Sequence, residues 1–201
     1  MTTQDDKAPT YRQAFLVMDL QTDIVRNYVD DSTSFLARVN SVLEASRQAA
    51  VLPIFVRAAF RPGYPEVSPG NRRFAAIKSE GRLLDGSADA AIHPDLDLRS
   101  GDVVVTKHRV NAFWATDLDQ ILRASQITSL VLCGVATSGV VLSTIRSAAD
   151  QDYQLTVLAD CCADRDAEVH EVLTTKVFRG QARVRSAAAY IEELRTDLYH
   201  I

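Results

Sequence analysis

Polar residues stand where several predicted strands end, and their types suit proton transfer. Asp19 directly follows the apolar run 14–18, Lys107 ends the run that begins at Val103, and a glycine-containing stretch, 134–140, follows a third run. In parallel α/β sheets, ligands bind beyond the carboxyl ends of the strands. A carboxylate and an ammonium brought together at one sheet edge perturb each other's pKa and share proton-transfer work. The sequence therefore predicts a site around Asp19 and Lys107.

The elements that must position these residues follow from alternating apolar and amphipathic segments. Apolar runs without period-two polarity indicate parallel strands buried on both faces: they are 14–18, 51–56, 103–105 (extending to Lys107), 130–133, 155–158 and a weaker 183–185. Apolar residues at helical spacing predict helices at 34–50, 117–125, 137–150, 166–177 and 187–198. This alternation predicts a three-layer α/β/α, Rossmann-like domain with a central, mainly parallel sheet of about six strands.

Composition limits the classes of function. The 201 residues, 47% hydrophobic and 24% charged, suit one domain, assigned to 11–201 after a flexible tail at 1–10. The net charge of −4 gives no reason to expect nucleic-acid binding, which usually needs a basic face. No apolar run reaches the length of a membrane span. Three cysteines, an odd number with two adjacent, favour a reduced, cytoplasmic protein without a structural zinc site.

The stretch 60–94 interrupts the alternation. It is rich in Pro and Gly, so we predict a long loop with one short helix, of the kind that often serves as a lid or binding loop. Its charged residues are mainly cationic: Arg61, Arg72, Arg73, Lys78 and Arg82 stand against Glu66, Glu80 and Asp85. Two interpretations remain open, a preference for an anionic ligand and a solvated loop surface.

The order and spacing of the motifs resemble one family. Asp-x-Gln at 19–21, Lys107, and Gly-Val-Ala-Thr at 134–137 are similar to the isochorismatase-like hydrolases, a superfamily also called the cysteine hydrolases. Asn-Ala-Phe at 111–113 and the segment 159–164 also match, so the resemblance covers nearly the whole chain. It implies hydrolysis of a small molecule, no cofactor, and a homodimer or homotetramer.

The resemblance also implies roles for individual residues. Asp19 would take a proton and return it to the leaving group, and Lys107 would balance its charge. The backbone N–H groups of Ala136 and Val140 would bind a developing oxyanion. A non-proline cis peptide is expected between Val135 and Ala136.

One position departs from the family pattern. The amidase branch carries its nucleophilic cysteine where this chain has Val140, and the neighbouring Gly139 and Val141 do not restore it. The isochorismatase branch also lacks this cysteine, has Gly there, and cleaves a vinyl ether with the Asp as proton donor and water completing the hydrolysis. The chain is therefore predicted to be a hydrolase without a cysteine nucleophile, and the bulk of Val140 argues against isochorismate itself.

Other candidate nucleophiles have simpler interpretations. Cys133 ends a buried strand and suits a small core residue, and Cys161 and Cys162 suit packing after the fifth strand. Ser138 does not stand in a G-x-S-x-G motif, and Thr137 or Ser138 suits a helix cap.

Metal ligands and pocket walls complete the candidates. Nicotinamidases of this superfamily hold a metal through an Asp and histidines after the second strand, and 56–63 contains neither, so we predict no metal. His108, beside Lys107, suits either the pocket or the surface. Gln21 is a candidate polar contact with substrate, and Phe113, with Trp114, is a candidate apolar wall or a packing residue. Asp19 taken alone also suits a turn cap.

Three hypotheses of function follow. The first is a small-molecule hydrolase in which Asp19 transfers protons and water attacks. The second is a non-catalytic descendant that binds a small ligand in the same pocket. The third is a hydrolase that has recruited Cys133, Ser138 or another residue as its nucleophile.

Overall fold

The computed structural model describes residues 12–198, so the predicted tail at 1–10 lies outside the described residues. The six strands are β1 Gln13–Met18, β2 Leu52–Ala58, β3 Val103–Lys107, β4 Ser129–Val135, β5 Gln154–Ala163 and β6 Arg183–Arg185. The α-helices in this range are α1 Thr22–Tyr28, α2 Ser32–Gln48, α3 Arg72–Ser79, α4 Leu118–Ala124, α5 Leu142–Ala149, α6 Ala167–Val172 and α7 Ala187–Leu198.

The strands form one sheet in the order β3-β2-β1-β4-β5-β6, and every neighbouring pair is parallel. This confirms the predicted fold class. Strands β2 and β3 lie on one side of β1 in the sheet. Strands β4, β5 and β6 lie on the other side of β1. The crevice beyond the carboxyl ends of β1 and β4 is therefore the switch point at which ligands bind in such sheets.

Burial explains why the central strands contain almost no polar residues. All residues of β1 and β4 after the first are buried, so side chains pointing to both faces of the sheet are covered. Helix α2 packs against α7, and both of these helices contact β5. Helix α5 also contacts β5. These helices complete the layers around the sheet. No helix in the described range is long and apolar enough to cross a membrane.

The elements differ from the prediction in four places. The fifth strand extends to Ala163, so Cys161 and Cys162, predicted to follow it, lie within β5. The short helix α1 was not predicted, because its seven residues include three β-branched side chains and give little helical pattern. The helix predicted at 137–150 begins with a wide turn, Thr137–Val141, that Gly139 interrupts with non-helical φ and ψ of −100° and −105°. The helix predicted at 166–177 begins as α6 and then continues as a short π-helical segment, Leu173–Val177.

Candidate active site

A cavity of about 580 Å³ lies at the switch point of the sheet. Four of the six residues predicted for the site line it: Asp19, Lys107, Ala136 and Val140. Asp19 follows β1, Lys107 ends β3, and the other two belong to the turn after β4. Three separate parts of the sheet edge thus converge on one cavity.

Asp19 and Lys107 form a buried ion pair at the bottom of this cavity. Lys107 Nζ lies 2.8 Å from Asp19 Oδ2, and the two side chains are only 2% and 8% exposed. Lys107 Nζ also donates a hydrogen bond to the carbonyl oxygen of Arg109, at 3.0 Å. The second carboxylate oxygen, Asp19 Oδ1, is buried and accepts no hydrogen bond from the described residues. Asp19 therefore has one oxygen paired with a cation and one without a hydrogen bond from the described residues.

The surroundings of Asp19 alter its acidity and its backbone. Burial raises the pKa of Asp19, while the Lys107 ammonium and, more weakly, the Arg73 guanidinium lower it in part; the pKa remains above its usual value of 3.8. The backbone of Asp19 has a φ of +57°, a left-handed conformation that Asp tolerates better than most residues. Its N–H donates to the carbonyl oxygen of Val56 at 2.8 Å, which fixes this turn to β2.

The end of β4 and the turn that follows it, together residues 134–141, need glycine at position 134. Gly134 has a φ of +152°, and a Cβ there would lie 2.4 Å from the carbonyl oxygen of Met18. The peptide bond between Val135 and Ala136 is cis, as the family resemblance predicts. Because Gly134 touches the end of β1, the turn brings Ala136 and Val140 to the cavity that Asp19 lines.

The segment after β5 holds this turn from behind. Thr137 Oγ1 lies 2.8 Å from His170 Nδ1, and the N–H of Ser138 donates to Asp164 Oδ2 at 2.7 Å. Burial lowers the pKa of His170, although the charge of Asp164 opposes this effect. The lowered pKa favours the neutral imidazole. The helix caps expected from Thr137 and Ser138 are absent here, because neither side chain caps the turn or α5. Their polar groups instead attach the turn to 164–170.

None of the three cysteines, all within the described range, lines the cavity. Cys133, Cys161 and Cys162 are at most 5% exposed. Burial raises the pKa of each thiol, so none is disposed to ionise. Ser138 is exposed but likewise does not line the cavity.

Gln21 and Phe113 were predicted to contact substrate, but the structure places them away from the cavity wall. Gln21 Nε2 donates to the carbonyl oxygens of Ala58 at 2.8 Å and Ala90 at 2.7 Å, and its Oε1 accepts from the N–H of Ala58 at 2.8 Å. The amide therefore joins β1 to β2 and to the loop after it. The Phe113 ring packs against the Tyr153 ring, with 6.1 Å between the ring centroids. This lies within the range of about 4.5 to 7 Å that is usual for aromatic pairs.

Sequence reasoning named Arg72 and Arg73 only as members of a cationic stretch, and it did not identify Arg165 or the apolar residues that form the upper cavity. Arg72 and Arg73 at the start of α3, and Arg165 after β5, line it, and the Arg165 guanidinium lies 4.4 Å from the Tyr28 ring centroid. The apolar wall includes Ile24, Phe74, Ile77, Leu83 and Val110. The cationic composition of 60–94 was the available signal.

Within 12–198, no three His, Cys, Asp or Glu side chains form a group that could hold a metal ion. The histidine adjacent to Lys107, His108, instead hydrogen-bonds through Nδ1 to the carbonyl oxygen of Ala59, at 2.6 Å.

Comparisons with known proteins agree with this architecture. The isochorismatase domain model matches residues 13–189. The uncharacterized isochorismatase family protein YwoC of Bacillus subtilis strain 168 is 30% identical over 92% of this chain and 95% of its own length. Ureidoacrylate amidohydrolase RutB of Yersinia enterocolitica is 31% identical over 76% of this chain and 75% of its own. A cysteine hydrolase structure from Pseudomonas syringae pv. phaseolicola 1448A superposes with a TM-score of 0.84, at 24% identity over 92% of this chain and 93% of that one. The chain belongs to the isochorismatase family of hydrolases.

Proposed function

We propose that this hydrolase cleaves a small molecule with water as the attacking group, assisted by Asp19 and Lys107 and without a cysteine nucleophile. The observation that carries the proposal is the state of Asp19. One carboxylate oxygen is paired with Lys107 at 2.8 Å, and the other is buried, without a hydrogen bond from the described residues, in a side chain that lines the cavity. A proton acceptor placed in this way has a free lone pair and a fixed orientation.

The family resemblance identifies Val140 as the position of the missing nucleophile. Val140 lines the cavity, and the three thiols of the chain are buried elsewhere with raised pKa values. A valine side chain forms no acyl-enzyme, yet its backbone N–H is retained. We therefore assign the N–H groups of Ala136 and Val140 to stabilise the oxyanion that forms when water adds to a carbonyl.

For an amide or a ureide, we propose that water adds to the carbonyl group before the C–N bond breaks. The Asp19 carboxylate accepts a proton from water as the water oxygen bonds to the carbonyl carbon. The C–N bond then breaks, and the Asp19 carboxyl returns the proton to the departing nitrogen, which regenerates the carboxylate. Lys107 compensates the negative charge of Asp19 whenever the proton is absent. The ureidoacrylate amidohydrolase among the relatives makes ureides the first substrates to test.

The direction of the pH dependence distinguishes this route from cleavage of a vinyl ether. If ionised Asp19 acts as a base, kcat/KM rises with pH through its raised pKa. If protonated Asp19 donates a proton to an alkene, kcat/KM falls through the same pKa. Asp19→Asn removes either limb of the profile.

A turnover screen of purified protein beside Asp19→Asn tests the proposal, with ureides, small amides, esters and vinyl ethers as substrates. We expect wild-type turnover and a loss of about 100-fold or more in the variant. Asp150→Asn is a matched control, because that exposed carboxylate at the end of α5 is not part of the cavity.

Equal turnover in wild type and Asp19→Asn would contradict the role of Asp19. A wild type that binds these compounds without turnover would favour the alternative, a non-catalytic small-ligand-binding descendant of the fold. The homodimer or homotetramer and the cytoplasmic location stay predictions.

A further inference from the structure

The charged residues around the cavity are unevenly paired. Lys107 is neutralised by Asp19, and Arg82 by Asp23 at 2.5 Å and Glu80 at 2.9 Å. The ion pairs found within residues 12–198 include neither Arg72, Arg73 nor Arg165. These three arginines, here called the rim, give the mouth of the cavity an excess of positive charge.

Arg73 is the member of the rim that reaches the reactive end. A Cβ on Gly139 would lie 3.6 and 3.8 Å from its two terminal guanidinium nitrogens, so the guanidinium lies against the turn that carries Val140. Its charge also lowers the pKa of Asp19, although less than Lys107 does. Arg73 is therefore close enough to both parts of the site to contact a ligand that occupies it.

We propose that the substrate is bifunctional, with a carboxylate bound by Arg73 at the rim and a neutral hydrolysable group beside Asp19. A guanidinium binds a carboxylate through two parallel hydrogen bonds, which fixes orientation as well as position. This inference deepens the proposed function, on which it rests for the identity of the reacting end.

The two ends of the cavity favour opposite groups. Asp19 is ionised when it acts as a base, and its free oxygen repels a second anion in a buried site. The carboxylate therefore binds at the rim, where the arginines form no ion pair with the carboxylates of residues 12–198. The apolar wall between them, with Phe74, Ile77 and Val110, suits a short hydrocarbon spacer.

Calorimetric binding of succinamate and succinamide tests the inference, because these probes differ only in a carboxylate that is replaced by a neutral amide. We expect wild type to bind succinamate at least about tenfold more tightly than succinamide. Arg73→Gln should abolish this preference, and added salt should weaken it. Arg179→Gln is the matched control, an exposed arginine outside the cavity, and should preserve it.

The two proposals fail in different measurements. Equal binding of the two probes, no binding of either, or a preference that survives Arg73→Gln would overturn the carboxylate subsite. Measuring binding in Asp19→Asn removes turnover from the comparison, and the preference for succinamate should persist there. A protein that keeps this preference but hydrolyses nothing would overturn the proposed function alone.

Discussion

The floor of the cavity and its rim are built in opposite ways. The floor, defined by Asp19, Lys107, Ala136 and Val140, consists of buried residues at strand ends and in the turn after β4. The rim arginines are exposed and stand on α3 and on the segment after β5. The floor is fixed by the sheet, whereas the rim is carried by connections between strands.

This difference separates the physical contributions of the two regions. Charges at the floor interact without screening by water, so each depends strongly on its partner. Charges at the rim are solvated and contribute little to stability, but remain available to a ligand. We expect floor substitutions to alter both folding and chemistry and rim substitutions to alter binding.

The largest expected effect on stability is that of Lys107→Met. Because the variant leaves the Asp19 carboxylate buried without its cation, we expect the free energy of unfolding to fall by about 3 to 5 kcal/mol near neutral pH. Loss of the ammonium also raises the pKa of Asp19 further, so the loss should shrink as the pH falls and the carboxyl takes a proton. Urea denaturation at two pH values measures both effects.

The double variant Asp19→Asn/Lys107→Met is the control for this prediction. It removes both charges, so it should recover most of the lost stability. A single variant that unfolds at the wild-type urea concentration would show that the floor is no more interdependent than the rim.

Val140→Cys has an intermediate expected effect and tests the location of the floor. A thiol at this position would line the cavity that Lys107 also lines, whereas none of the three native cysteines lines it. We expect rapid labelling of the folded variant by iodoacetamide, at least about tenfold faster than wild type, read by intact mass. Val141→Cys is the matched control, because Val141 is fully buried and does not line the cavity. Equal labelling of both variants would contradict the assignment.

The smallest expected effect belongs to the rim. Arg73→Gln should change the free energy of unfolding by less than about 0.5 kcal/mol, because the side chain is exposed and outside the ion pairs of the described residues. Thermal and urea denaturation beside wild type measure it. A destabilisation comparable to that of Lys107→Met would remove the distinction between the two regions.

The floor could be predicted from the sequence because it follows from regular elements. Asp19 and Lys107 end strands that are recognisable by their buried apolar runs, and parallel strands bring such ends to one sheet edge. Gly134 was recognisable in the same way, as the glycine of a strand-to-helix turn. The fold class and the strand number followed from the same alternation.

The remaining parts of the site depend on packing that no local pattern reveals. Gln21 has the polarity of a substrate contact, but its amide is used by the backbone of Ala58 and Ala90. Arg73 lies in the long loop region after β2, and its position against Gly139 depends on how that region folds back over the sheet. Charge composition predicted a cationic region, without choosing among its arginines.

The contact between Gly134 and Met18 sets the scale of the whole site. At this point the main chains of β1 and β4 approach so closely that only a hydrogen atom fits between them. The separation between the Asp19 backbone and the N–H groups of the turn is thus set by the main chain of the two strands. Substitutions of the side chains around the cavity leave this backbone spacing unchanged. The same scaffold can therefore accommodate different substrates.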